Sequence, residues 1–437
     1  MPGGWQTRQA APSAIVADVR ILHIAWEYPP LVFGGLGRHV GALARAQARA
    51  GNDVVVITRA EGPASLSTTD GVRIIRVPRD GPAEEVNTEN LLPWVDSLED
   101  AMSNAVTSLA QSDWRPDVVH GHDWMVARTL SQAQRDFRIP VVATFHATEA
   151  GRHQGWLPND LSKTIHRTEW WLAHQATRVI ACSSHMRWEV CTLFEIPERV
   201  VSVIPNGIDL ADWTTTPAER HRARQQFASD GPLVVFAGRL EWEKGVHTLL
   251  EATPAVAALT PGVRVVIAGR GGKADELERL ADRLELGSTA TFTGWLPEND
   301  LHALVAAADI AVVPSLYEPF GLVALEAAAL GTPVVVARTG GLAEIAAGGR
   351  VAATFTAGDP VALAHTLRAA IADPVRTRRM VEQAALELER TYNWDHIAAM
   401  TVRTYESAVN SWDGSVVPPR TDESLRDGNL LTAAPPS

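Results

Sequence analysis

Four charged residues in two short segments carry the clearest chemistry in this chain. Glu318-Pro319-Phe320-Gly321-Leu322-Val323-Ala324-Leu325-Glu326 reads as a turn followed by the first turns of a helix, with two carboxylates eight residues apart. A helix opening at Gly321 aims its free N–H groups and positive dipole end at whatever lies in front of it. Upstream, Gly238-Arg239-Leu240-Glu241-Trp242-Glu243-Lys244-Gly245 sets two cations five residues apart. A bidentate guanidinium and a point-charge ammonium complement each other on a diphosphate. The plainer reading of Arg239 and Lys244 is a solvated loop paired with Glu241 and Glu243, but the flanking glycines favour the clamp. The two glutamates stand about two helical turns apart, ~12 Å by helical rise. They therefore suit different parts of one long ligand, whereas a paired general acid and base of sugar hydrolysis needs closer carboxyls. A clamp for a diphosphate with a carboxylate for hydroxyls beside it points to a nucleotide-sugar.

Further polar residues cluster after apolar runs. Gly34-Gly35-Leu36-Gly37 lets a backbone approach a phosphate or a sugar, or simply makes a tight turn. Its spacing is not the dinucleotide fingerprint, because the third glycine of that pattern falls on His39 or Val40. His120-Gly121-His122-Asp123-Trp124 and Phe145-His146-Ala147-Thr148 bring histidines and an aspartate to strand ends. Metal ligation is the less economical reading, since no cysteine or second carboxylate is near. Asp123 and His146 are better read as hydroxyl-binding groups, and His122 as a cap or packing residue. Pro205-Asn206-Gly207-Ile208-Asp209 reads as a turn that stops a strand and begins the interdomain linker, or as a loop that brings Asn206 to the cleft. Trp295 and Tyr317 suit either base stacking or core packing.

The elements that must position these residues are short apolar runs alternating with helical patterns. Ile21–Ala25, Val54–Ile57, Val72–Val77, Val118–His120, Val141–Thr144, Val179–Ala181 and Val201–Ile204 form one series. Leu233–Ala237, Val263–Ala268, Ala290–Phe292, Ile310–Val313 and Val334–Val336 form a second. Buried runs of this kind predict parallel sheets covered on both faces. The expected fold class is α/β, with two doubly wound Rossmann-like domains facing a cleft. Ligands of such sheets lie beyond the carboxyl ends of the strands, where these motifs fall. The expected division is a disordered 1–18, a first domain 19–210, a second domain 211–390, a helix 391–412 packing back on the first domain, and a disordered tail 413–437.

Composition narrows the setting. The 437 residues exceed one ordinary core. A net charge of −12 argues against a nucleic-acid partner. No apolar run reaches the about 18–20 residues of a membrane span, and the Ala-, Gly- and Pro-rich start lacks the core of a secretion signal. Two cysteines, Cys182 and Cys191, fit a reducing compartment, so a cytoplasmic location is expected. Lysine occurs only at 163, 244 and 273, which makes Lys244 inside a glycine-flanked motif conspicuous.

Together these segments resemble the retaining glycosyltransferases of the two-Rossmann-domain (GT-B) fold, family 4, with glycogen and starch synthases as close cousins. The matching motifs span about residues 20–410. They are Glu27-Tyr28-Pro29-Pro30 with Gly34-Gly35-Leu36-Gly37, His120 to Trp124, Pro205 to Asp209, Gly238-Arg239-Leu240 with Lys244-Gly245, Pro314-Ser315 with Glu318 to Leu322, and Gly340-Gly341-Leu342. His146 to His153 is similar to actinobacterial α-1,4-glucosyltransferases of glycogen or methylglucose polysaccharide synthesis. The resemblance implies transfer of glucose from ADP-glucose or UDP-glucose to an α-glucan, with no cofactor and no metal. It implies that Arg239 and Lys244 neutralise the leaving diphosphate, that Glu318 and His146 hold the donor sugar, and that Asp123 lies beside the acceptor path. Donor binding would fall to Gly34, Gly35, Trp295, Phe320, Gly321, Leu322, Val323 and Glu326, the last on the ribose. One departure is Val32, where bacterial glycogen synthases carry a lysine. The phosphate contact of the first domain is then either weaker or made by Arg38, which leaves ADP and UDP both open as the donor nucleotide. Other acceptors (glucose 1-phosphate, lipid or inositol), a nucleotide-sugar epimerase, a silent glucan-binding protein and a homodimer are the alternatives left standing.

Overall fold

The computed structural model describes residues 18–79, 87–228 and 230–415. Apart from Asp18 and residues 413–415, the terminal segments expected to be disordered lie outside the described residues. Among the described residues, fourteen strands build two sheets. The first contains β1 (Arg20–Ile24), β2 (Asp53–Ala60), β3 (Ser65–Thr69), β4 (Val72–Pro78), β5 (Val118–His122), β6 (Val141–Phe145), β7 (Arg178–Ala181) and β8 (Val201–Val203). The second contains β9 (Leu233–Ala237), β10 (Arg264–Ala268), β11 (Ala290–Gly294), β12 (Ile310–Val313), β13 (Val334–Ala337) and β14 (Ala353–Phe355). The orders are β3-β4-β2-β1-β5-β6-β7-β8 and β11-β10-β9-β12-β13-β14. Each sheet reverses direction of growth beside its first strand, β1 or β9, and crevices open at such switch points.

Every pairing is parallel except β3 with β4. The edge strand β3 is exposed at all five positions, so it lacks the apolar run that marks the others in sequence. The central strands, such as β9, β10, β12 and β13, are nearly continuous Val, Ile, Leu, Phe and Ala, as burial on both faces requires, whereas the edge strand β11 (Ala-Thr-Phe-Thr-Gly) has no fully buried position. A one-residue strand shift separates expectation from structure at β1, which ends at Ile24. The helix after the glycine-rich turn begins at Gly35, inside the turn itself. The polar stretch Thr214 to Pro217 is a helix start: Thr216 caps Pro217–Phe227 through a reciprocal capping box with Glu219.

The helix Trp394–Ser411 leaves the second half and lies on the first, alongside the helix Gly35–Arg49. Its Tyr405 is fully buried there with Val40, Leu43 and Ile397. The crossing is tight at Gly207, where a side chain would meet the Trp394 ring at 2.6 Å. No helix among the described residues is long and apolar enough to cross a membrane.

Candidate active site

The second half contributes two loops locked together. Arg239 and Lys244 follow β9, and Ser315 and Glu318 follow β12, its neighbour in the sheet. Gly245 adopts φ 67°, and a β-carbon there would sit 2.0 Å from the Pro314 carbonyl oxygen. Only glycine permits this approach, and it brings the Lys244 ammonium within 2.8 Å of Glu318 Oε2. Ser315 Oγ donates to the same oxygen at 3.1 Å. Glu318 Oε1 therefore remains available to a ligand hydroxyl. Arg239 is half exposed and reaches Glu243 at 3.1 Å. Gly321 (φ 113°) turns the chain into the helix Leu322–Ala329, whose first N–H groups open beside Glu318. Phe320 is buried with its ring edge-on to Tyr392, so only its backbone is available to a ligand. Val323 and Glu326 line a small cavity with Trp213, and Trp295 stands largely exposed after β11.

The first half contributes the glycine-rich turn. The buried Glu27 carboxylate accepts from Phe33 N at 2.8 Å and Gly34 N at 3.1 Å, which fixes the approach to the helix Gly35–Arg49. Burial pushes its carboxyl up, against these hydrogen bonds. Gly35 faces the opposite half directly: a β-carbon there would lie 2.8 Å from Leu322 Cδ1. The switch-point turn of one sheet thus meets the helix start of the other. Arg38, one turn on, pairs with Glu326 at 2.9 Å rather than standing free toward the phosphate position.

Asp123 and His146 meet at the ends of β5 and β6. Asp123 has φ 60° and ψ 179°, a conformation costly for any residue with a side chain. Its Oδ1 accepts from His146 N at 2.7 Å, which holds the strained turn against the end of β6, where His146 is only partly buried. Burial raises the Asp123 carboxyl to about 7, partly offset by the hydrogen bonds from His146 and Ala147. Behind His146 lies a packed group of rings: His23, His39, His120 and His122. His23, His120 and His122, and likewise His39, His122 and His146, bring ring nitrogens within 4.8 Å of one another. In the first set both nitrogens of His120 are already engaged, by Tyr405 and Thr144 at 2.7 Å each.

Two further residues of consequence are Arg152, to which the sequence assigned no role of its own, and Tyr317, which it left between base stacking and packing. Arg152 lies within electrostatic reach of Asp123, Glu243 and Glu149, so it adds a cation where the halves meet. Tyr317 is buried and serves packing rather than stacking on a base. Its hydroxyl donates to Glu189 Oε1 at 2.8 Å and accepts from Thr148 N at 3.2 Å, tying the halves together. Ser183 Oγ donates to Pro319 O at 2.7 Å, and Glu344 accepts from Ser184 N and His185 N at 3.0 and 2.9 Å. These contacts recruit one half's helix start with the other half's carboxylate, which no periodicity reveals.

Residues 33–212 match the model described as Glycosyltransferase Family 4, and residues 217–387 match Glycosyl transferases group 1. The glycogen synthase of Mycobacterium tuberculosis is 40% identical over 402 residues, covering 89% of this chain and 95% of that protein. The D-inositol 3-phosphate glycosyltransferase of Pseudarthrobacter chlorophenolicus is 30% identical over 400 residues, covering 88% and 93%. Among solved structures, a sucrose-phosphate synthase from Thermosynechococcus elongatus superposes with a TM-score of 0.75 at 24% identity, covering 90% of this chain and 100% of that one. With both halves matched and the loops of both switch points facing each other, this chain is a glycosyltransferase and belongs to family 4.

Proposed function

We propose that the enzyme moves an α-glucosyl group, with retention, from ADP-glucose or UDP-glucose to the non-reducing end of an α-1,4-glucan, in glycogen or polymethylated-glucose polysaccharide synthesis in the cytoplasm. The observation that carries this reading is the 2.8 Å pair of Lys244 and Glu318 at the mouth of the helix Leu322–Ala329, directly across from Gly35. One member of the pair suits a diphosphate and the other a sugar hydroxyl, so the scissile bond would lie between them. The 40% identity to a glycogen synthase supports the glucan acceptor.

In this reading, cleavage of the sugar–phosphate bond leaves positive charge on the ring and negative charge on the diphosphate. Arg239, Lys244 and the N–H groups after Gly321 stabilise the diphosphate in a preorganised, water-poor cleft. Glu318 Oε1 and His146 orient the sugar. The acceptor hydroxyl attacks from the face of departure and passes its proton to the leaving phosphate, so no protein nucleophile is required. Asp123 borders the acceptor path, and closure of the two halves suppresses hydrolysis.

The test is a matrix of ADP-[14C]glucose and UDP-[14C]glucose against maltooligosaccharides, a methylated glucan, glucose 1-phosphate and inositol 3-phosphate. Label entering glucan as an amylase-sensitive α-1,4 product supports the proposal. Label on inositol phosphate alone would transfer the reading to the second relative, and isomerised donor without transfer would replace it with epimerisation.

A further inference from the structure

The polar groups behind His146 form one directed chain that begins on two helices far apart in the sequence. Tyr405 on the helix Trp394–Ser411 and Gln47 on the helix Gly35–Arg49 are both fully buried. Gln47 Nε2 donates to the Tyr405 hydroxyl at 3.0 Å. Gln47 Oε1 stands 2.7 Å from His23 Nε2, and a carbonyl oxygen can only accept. His23 Nδ1 lies 3.2 Å from His122 Nε2, and His122 Nδ1 lies 3.2 Å from His146 Nε2. His23 and His122 are completely buried, whereas His146 is only partly so. The chain therefore runs from the interior to the wall of the cleft.

A neutral imidazole has one N–H and one lone pair, so each link dictates the next. His23 must place its proton on Nε2, because Gln47 Oε1 demands a donor. Its Nδ1 is then an acceptor and demands the proton of His122 on Nε2. His122 Nδ1 in turn demands the proton of His146 on Nε2. The neutral forms are those expected, since burial lowers His23 and His146 to about 4 and His122 well below its ordinary range. A side branch obeys the same logic: Tyr405, accepting from Gln47, donates to His120 Nδ1, and His120 Nε2–H donates to Thr144 Oγ1.

We infer that Gln47, His23 and His122 are positioning residues that fix one tautomer of His146, with the proton on Nε2 and a bare Nδ1 facing the cleft as an obligate hydrogen-bond acceptor. On the glucosyl-transfer reading above, on which the ligand assignment rests, that acceptor selects a donor-sugar hydroxyl that has a proton to give. A ring free to exchange tautomers would spend part of its time presenting a donor there.

Long-range 1H–15N correlation on histidine-labelled full-length protein without ligand reads the tautomer of each of the 14 rings, assigned by single substitutions. The expected result is Nε2–H on His23, His122 and His146 together. Nδ1–H on any of the three overturns the inference, as does a stoichiometric bound metal, whose coordination would consume the facing lone pairs. Gln47→Met removes the acceptor that sets the direction and should give His146 a mixed signature. Gln47→Glu, neutral when buried, keeps both a carbonyl for His23 and a hydroxyl for Tyr405, and should preserve the wild-type pattern. An unchanged His146 signature in Gln47→Met overturns the relay. In glucosyl transfer, Gln47→Met should lower kcat/KM for the donor about tenfold, and Gln47→Glu should recover most of it. If no nucleotide-glucose is used by the wild-type enzyme, the functional reading fails while the tautomer measurement still decides the relay.

Discussion

Arg38 on the first half and Glu326 on the second form an ion pair of 2.9 Å across the cleft. The Arg38 side chain is 50% exposed and Glu326 only 13% exposed, so the carboxylate is the buried partner. Burial pushes its carboxyl up, and Arg38 pulls it back down. The family resemblance implies that Glu326 takes the ribose, and on that reading the pair must open before the nucleotide is seated. Half-exposed pairs are worth about 0–1 kcal/mol. Arg38→Ala should therefore tighten binding of ADP or UDP by up to about fivefold in calorimetry. Weaker binding would instead assign Arg38 directly to the phosphates.

Lys244→Ala separates chemistry from folding. The residue sits at the rim of two loops already joined through Leu316 N donating to Glu243 O at 2.8 Å, so the fold should persist. Removing a preorganised charge at a developing anion typically costs about 10²–10³ in turnover. Single-turnover transfer should fall by that order while circular dichroism and the melting transition stay near those of the parent. Transfer within a few-fold of wild type would remove the diphosphate clamp from the mechanism.

The parts legible in sequence are those that local pattern dictates. Apolar runs such as Val334–Val336 announce buried strands, and Gly245 beside Lys244 announces a close approach of loops. The histidines show why the rest was hidden. His23, His120, His122 and His146 are scattered over more than a hundred positions, yet β1, β5 and β6 are neighbours. The register pairs His23 with His120 and His122 with Thr144, two residues before His146. Proximity of this kind is a property of strand order, which spacing along the chain does not encode. Asp123 is similar: nothing in His-Gly-His-Asp-Trp requires a positive φ at the aspartate rather than at the glycine. The exposed β3 escaped notice because an edge strand needs hydrogen bonds but no apolar face.

Gly35 and Leu322 allow a test of cleft closure. A β-carbon at residue 35 meets only the flexible end of Leu322, so Gly35→Ala should be tolerated with a few-fold rise in donor KM. Gly35→Val should hold the halves apart and cost about tenfold or more in kcat/KM, in line with overpacking of about 1–3 kcal/mol. Adding Leu322→Ala to Gly35→Val should restore part of the loss. Additive effects in that double-mutant cycle would place the two residues out of contact in the working enzyme.

Tyr317→Phe should destabilise the union of the halves. Its hydroxyl serves Glu189 and Thr148 N at once in a buried setting, and removal takes the acceptor from Thr148 N and leaves Glu189 Oε1 with the Thr148 hydroxyl alone. The expected loss is about 1–3 kcal/mol, seen as a lower urea midpoint. Donor binding to the second half should change less than stability does, because Tyr317 points away from Glu318 and into the first half.

Asp123 supplies a pH dependence of known sign. Its carboxyl stands at about 7 in the folded protein against an ordinary value of 3.8, because burial disfavours the anion. Between these values the folded state keeps a proton that the unfolded state has released. The contribution is therefore complete below about pH 4 and is lost as pH rises through about 7. The side chain is only partly buried, so the loss amounts to a few kcal/mol at most. Asp123→Asn keeps an oxygen for His146 N but cannot ionise. Urea midpoints at pH 5 and pH 8 should fall further in the wild type than in this variant. Glu99, also raised to about 7 by burial, contributes equally to both proteins, so the difference between the two slopes isolates Asp123. Parallel slopes would mean that Asp123 is already charged at pH 5, and the strained turn would then be holding an anion rather than a neutral acid.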